Sequence, residues 1–152
     1  MTIKLSETGF LVVIYVLSFA FLISTPYLIE DPVGDEFAYV KQARLLLEGN
    51  TQPNWLQSTS YLTLLVGMPI IQNSFSFAGL RLIMILISAI SAPLMYMILR
   101  ELNAKRSIAT LSSFILLTSP FVALHLRQFI TEPISLPLYL LAILLIVKGV
   151  KT

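Results

Sequence analysis

The chain has no cysteine, which excludes disulfides, thiolate metal sites and any redox clue to compartment. It has one histidine, His125, and a lone histidine cannot by itself make a zinc site. Charge is scarce as well. Only 12% of the 152 residues are Asp, Glu, Lys or Arg, about half the roughly 25% of a soluble domain. The net charge of +2 is small, and its cations sit at the ends of apolar runs. That placement fits topology signals and excludes a nucleic-acid surface. There is no internal repeat, no low-complexity segment and no soluble domain.

What remains is apolar. Hydrophobic residues make up 57% of the chain and fall in long blocks. Four blocks read as membrane crossings, at about 20 residues each: 9–29, 78–99, 107–124 and 133–148. The first is longer than the core of a signal peptide, and no small-x-small site precedes the polar loop, so a retained anchor is expected. Pro93 is expected to kink the second crossing, and Pro120 lies near the end of the third. Small residues mark close-contact faces: Ser88, Ala89, Ser91 and Ala92 on the second crossing, and Ala109, Ser112 and Ser113 on the third. These two helices are predicted to pack as an antiparallel hairpin. The fold class predicted is an all-α membrane protein of four transmembrane helices, forming a single module, with one or two interfacial helices in its first outer loop.

Cations set the orientation. Arg100, Lys105 and Arg106 crowd the turn between the second and third crossings, and Lys4, Lys148 and Lys151 flank the termini. With four crossings all six share one side, which the positive-inside rule makes cytoplasmic. Both termini are then cytoplasmic, and loop 30–77 and the HLRQFITE turn face outward.

The longest polar interruption is Glu30 to Asn50, which holds five of the eight acidic residues: Glu30, Asp31, Asp35, Glu36 and Glu48. Pro32 and Gly34 break the chain there. Asp35 stands where a helix N-cap belongs, and a helix is predicted over 35–48. Tyr39, Val40, Ala43, Leu46 and Leu47 share its apolar face, and Lys41, Arg44 and Glu48 the opposite one, as in a helix lying along a membrane surface. Gly49-Asn50 ends it. Thr51 to Ser60 is polar, with Pro53 and the single Trp, Trp55, at belt height. Tyr61 to Ile71 is too short to cross and reads as a second interfacial or re-entrant piece.

Asp35 has two compatible readings, a helix cap and a general base for an acceptor hydroxyl. Glu36 falls on the apolar side of the helix, where a carboxylate needs a partner or a task. Glu132 opens the fourth crossing, where its charge suits the helix dipole and Pro133 an early helical position. Arg81 and Arg127 read as interfacial anchors that snorkel to headgroups, or as phosphate ligands.

The order GDEFAYVKQARLLLEG, YLTLLVGMPII, GLRLIMILI and TEP resembles the N-terminal part of the GT-C glycosyltransferases. The likeness is to the protein O-mannosyltransferase and lipid A aminoarabinose transferase branch, and it covers nearly the whole chain. By that resemblance Asp35 is the catalytic carboxylate, Glu36 its neighbour and Glu132 the second acidic site residue; Tyr39, Arg81 and Arg127 are the substrate-binding candidates beside them. The activity implied is inverting transfer from a polyprenyl-phosphate sugar to an acceptor hydroxyl. Related enzymes with lipid-pyrophosphate donors often need a divalent metal, to which the resemblance would have Asp31, Asp35 and Glu36 contribute oxygens; no cofactor is expected here beyond that one possible divalent ion. The expected partners are the lipid-linked sugar, membrane lipids and further transmembrane helices from a partner chain, and no nucleic acid. Family members have many more crossings, so the chain is expected to be a truncated or minimal module. The alternative is a non-catalytic four-helix membrane subunit or assembly factor. A proton-coupled transporter fits poorly, because no carboxylate lies within a crossing.

Overall fold

Serine and proline punctuate the apolar blocks, and the helices start and stop where they fall. The computed structural model describes residues 6–24, 31, 35–50, 55–73 and 75–150, with the backbone alone at 55–60. All regular structure among these residues is helical: α1 (Glu7–Ile23), α2 (Glu36–Leu47), α3 (Trp55–Asn73), α4 (Phe77–Ser88), α5 (Ser91–Glu101), α6 (Arg106–Thr118), α7 (Pro120–His125) and α8 (Glu132–Gly149). Several sequence expectations fall outside the described residues: the end of the first crossing over 25–29, Glu30, the breakers Pro32 and Gly34, Pro53 with the start of the polar stretch at 51–54, the side chain of Trp55, and the topology lysines Lys4 and Lys151.

Local chemistry accounts for the breaks. Ser6 caps α1 by accepting from the Gly9 N–H at 3.1 Å, and Ser76 caps α4 by accepting from Gly79 at 3.1 Å. The second apolar block runs from Phe77 to Glu101 but is broken at Ala89–Ile90. Pro93 is the reason: it has no N–H for the Ala89 carbonyl four residues back, and its ring crowds that carbonyl. The third block, predicted as one helix over 107–124, is two. Ser119 takes φ −55° and ψ 123°, the extended conformation that the residue before a proline prefers, and Pro120 opens α7. Pro69 and Pro137 lie within helices without ending them.

Two helices are long and apolar enough to cross a membrane, Phe77–Glu101 taken through its kink and Glu132–Gly149. The apolar helices α1 and α6 are shorter, at 17 and 13 residues. The piece predicted at 61–71 is the C-terminal part of the 19-residue α3, which continues back through the polar residues to Trp55. Polarity ended the apolar run there but did not end the helix, because Gln, Ser and Thr are only mildly unfavourable in one.

Three apolar clusters hold the helices together. One joins α2, α3 and α4 to the α7–α8 connection through Tyr39, Val40, Ala43, Leu64, Leu80 and Phe129. The apolar face of α2 is therefore covered mainly by protein, with Leu47 left exposed. Gly67 is needed here, since a Cβ on it would lie 2.3 Å from the Phe129 ring. A second cluster joins α1, α4, α5 and α6 through Ile14, Leu22, Ile85, Ala92, Ala109 and Leu117. The third joins α5 to α8 through Leu94, Ile98, Leu140 and Leu144. The predicted hairpin is present: α5 and α6 pack closely, joined by residues 102–105, with Ala92, Ala109 and Ser113 buried and Ser112 half-buried.

The bundle has two polar ends. At one, the Glu7 carboxylate accepts from the Tyr96 hydroxyl at 2.8 Å and lies 3.8 Å from Arg100, and Lys148 lies 4.0 Å from Glu101. At the other, Arg127 donates to carbonyls in the last turn of α1, from Nε to Leu22 at 2.9 Å and from Nη2 to Phe21 at 3.4 Å.

Candidate functional site

The second end carries most of the acidic chemistry, and α2 organises it. Glu36, in the first turn of α2, is fully buried, as is Arg81 on α4. Their side chains form a two-point ion pair, Arg81 Nε donating to Glu36 Oε1 at 2.9 Å and Nη2 to Oε2. Arg81 Nη2 also donates to the Asp31 carbonyl at 2.7 Å, and the Phe129 N–H donates to Glu36 Oε1 at 2.8 Å. One carboxylate thus ties together α2, α4 and the α7–α8 connection. The pairing answers the need of a charge on the apolar side of α2, and it corrects the anchor reading of Arg81: the guanidinium turns inward and does not snorkel. A buried guanidinium requires such a partner, because an unpaired charge there is costly.

Arg127 is corrected in the same way. It is buried, its donors go to the end of α1, where a cation suits the helix dipole, and its guanidinium lies over Phe21 with Cζ 5.4 Å from the ring centroid. The segment predicted as an outward polar turn is mostly buried, from Leu126 through Ile130. Its apolar members Leu126, Phe129 and Ile130 belong to the cores, and Arg127 satisfies backbone carbonyls.

With Glu36 enclosed, Asp35 is left at the surface. It occupies the N-cap position of α2, but its backbone is αR and its side chain makes no capping bond. Its carbonyl, instead, accepts from Ala38 at 2.9 Å and Tyr39 at 3.3 Å. The exposed carboxylate lines a hollow of about 220 Å3 together with Tyr39, His125, Gln128, Ile130 and Glu132. Tyr39 is held by a 2.8 Å hydrogen bond between its hydroxyl and that of Thr131, and by edge packing on Phe129. Glu132 is exposed at the first position of α8. Among the described residues neither Asp35 nor Glu132 has an ion-pair partner.

The structure therefore brings Asp35, Tyr39 and Glu132 to one hollow and takes Glu36, Arg81 and Arg127 into the protein interior. It adds His125 and Gln128, to which the sequence assigned no role. His125 Nδ1 lies 2.8 Å from the Phe121 carbonyl, which can only accept, so Nδ1 carries a proton and Nε2 is the nitrogen left for a ligand. The i, i+4 spacing of Phe121 and His125 on a helix is the signal that was available in the sequence.

A divalent metal fits poorly among Asp31, Asp35 and Glu36, since both Glu36 oxygens are engaged by Arg81. Among the described residues no group of three His, Asp or Glu is placed to hold a metal ion. The hollow can do acid–base work with two carboxylates, and hydrogen-bond a polyol through Tyr39, Gln128 and His125. Its volume is below the roughly 300–1,000 Å3 of pockets that enclose drug-sized ligands, and among the described residues neither Lys nor Arg lines it. A larger cavity, of about 410 Å3, lies elsewhere on α2 and contains neither Asp35 nor Glu132. No family model, curated protein or solved structure matches this chain.

Proposed function

We propose that the chain is a four-crossing membrane module of GT-C type, transferring a sugar from a polyprenyl-phosphate donor to an acceptor hydroxyl. The crossings are α1, α4–α5, α6–α7 and α8, with α2 and α3 on the outer side. The observation that carries the reading is the meeting of Asp35 and Glu132, from opposite ends of the sequence, beside Tyr39 in one hollow. Asp35 takes the acceptor proton as the acceptor oxygen bonds to the anomeric carbon. The bond from that carbon to phosphate breaks on the opposite face, which inverts the centre. Glu132, Gln128 and His125 orient hydroxyls. The hollow is too small for a lipid-linked sugar and among the described residues no arginine or lysine lines it, so the phosphate would be held by cations outside it, including those of further helices from a partner chain.

The test is lipid-linked sugar transfer in proteoliposomes, with the chain alone and with co-expressed membrane partners. Asp35→Asn is expected to lower transfer by roughly 100-fold or more, the range of general-base loss, with Glu132→Gln also impaired. Transfer unchanged in Asp35→Asn refutes the mechanism. A second reading, a non-catalytic subunit, is favoured by one observation: the arginines best suited to a phosphate, Arg81 and Arg127, are spent on structure. It predicts no transfer under any condition and a stable partner retained in mild detergent.

A further inference from the structure

We propose that the groove between α2 and the start of α4 binds an anionic phospholipid of the surrounding bilayer. Lys41 and Arg44 would hold the phosphate, and Phe37, Phe75 and Phe77 the first methylenes of the chains. The groove is the cavity of about 410 Å3, and helical periodicity puts it on the opposite side of α2 from Asp35 and Tyr39. Its apolar surface is not closed by protein: Phe37 is 63% and Phe75 40% exposed, over buried Val40 and Phe77. Lys41 and Arg44 are one helical turn apart, about 5–6 Å between Cβ atoms, so two cations can share one phosphate.

Neither cation has a carboxylate within ion-pair distance among the described residues. Glu48 lines the same groove and pairs with neither. The Arg44 Cζ lies 4.7 Å from the Phe75 ring centroid, a stacking that holds the guanidinium in place and leaves its N–H edge to donate. A wholly apolar occupant would leave two cations unanswered. A soluble anion would leave the phenylalanines wet. An anionic lipid satisfies both. This binding depends on the membrane placement proposed above and not on the transfer reaction.

The test is native mass spectrometry of the full chain released from phosphatidylcholine nanodiscs containing a minor fraction of phosphatidylglycerol. Each basic side chain at a membrane surface is worth roughly a 5-fold preference, so retained phosphatidylglycerol should be enriched ~5- to 30-fold over the bulk ratio. Lys41→Gln/Arg44→Gln should return the ratio to bulk, and Lys41→Arg/Arg44→Lys should keep it. No enrichment in the wild type, or enrichment that survives the double Gln variant, overturns the proposal. Displacement of the lipid by inorganic phosphate also overturns it, by showing a site for phosphate alone. A chain that does not enter nanodiscs removes the membrane placement and this site with it. Lost enrichment with intact sugar transfer separates this site from the catalytic one.

Discussion

At the scale of single residues, the Glu36–Arg81 pair decides where everything near Asp35 stands. Both side chains are fully buried, and Glu36 also carries the Phe129 N–H. Removing one partner leaves a buried charge unanswered. Arg81→Met is expected to cost about 3–5 kcal/mol of stability, while the double variant Glu36→Met/Arg81→Met costs less than either single change, because no orphan charge remains. Denaturant unfolding of the detergent-solubilised chain measures both; a double variant worse than each single one would contradict the account. Gly67 makes a steric prediction of the same kind. Gly67→Ala drives a Cβ into the Phe129 ring and should destabilise by about 1–3 kcal/mol, with partial rescue by Phe129→Leu. The sequence marked Glu36 as a charge that needed a partner, but a helical wheel gives a face and not what lies opposite it. Arg81 was visible only as a cation near a helix start, so its inward turn was not legible.

At the scale of elements, proline and small residues were the legible signals. Pro93 placed the break in the second apolar block, and the stripes around Ala92 and Ala109 placed the α5–α6 hairpin, because both act through backbone geometry that sequence spacing fixes. Helix ends set by polarity were less legible: α3 runs on through residues that an apolar criterion had excluded. The α7–α8 connection was misread for a related reason. Arg127 and Gln128 look solvent-seeking, yet both are buried, Arg127 with its donors on carbonyls at the end of α1. The hairpin gives a register test. Counting equally from the turn at 102–105, Ala92 faces the Leu117 end of α6, and Ala109 lies about two turns away along it, near 10 Å at the helical rise. A disulfide needs Cα atoms within about 7 Å. Ala92→Cys/Leu117→Cys should therefore crosslink and Ala92→Cys/Ala109→Cys should not; the reverse pattern would reject the antiparallel packing.

At the scale of the whole molecule, the helices divide the polar chemistry between two ends. Glu7, Tyr96, Arg100, Glu101 and Lys148 gather at one; Asp35, Arg127 and Glu132 gather at the other. The cations of the α5–α6 turn, Arg100, Lys105 and Arg106, belong with the first group, and in the topology proposed above the positive-inside rule would send that end to the cytoplasm. The bundle buries the Glu36–Arg81 pair and leaves Val12, Leu111, Ile115 and Leu145 exposed between those ends, on sides that would face lipid in the proposed placement. Leu102 lies exposed in the α5–α6 turn and Lys41 exposed on α2, so cysteines at either position should leave the packing intact. In intact cells an impermeant maleimide should label Lys41→Cys and spare Leu102→Cys, with Leu102→Cys becoming reactive only after the membrane is opened. Labelling of both from outside would mean that the two polar ends share a compartment. The odd-numbered count of crossings between α2 and the α5–α6 turn would then be wrong, and Asp35 would face the cytoplasm or the bundle would not span at all.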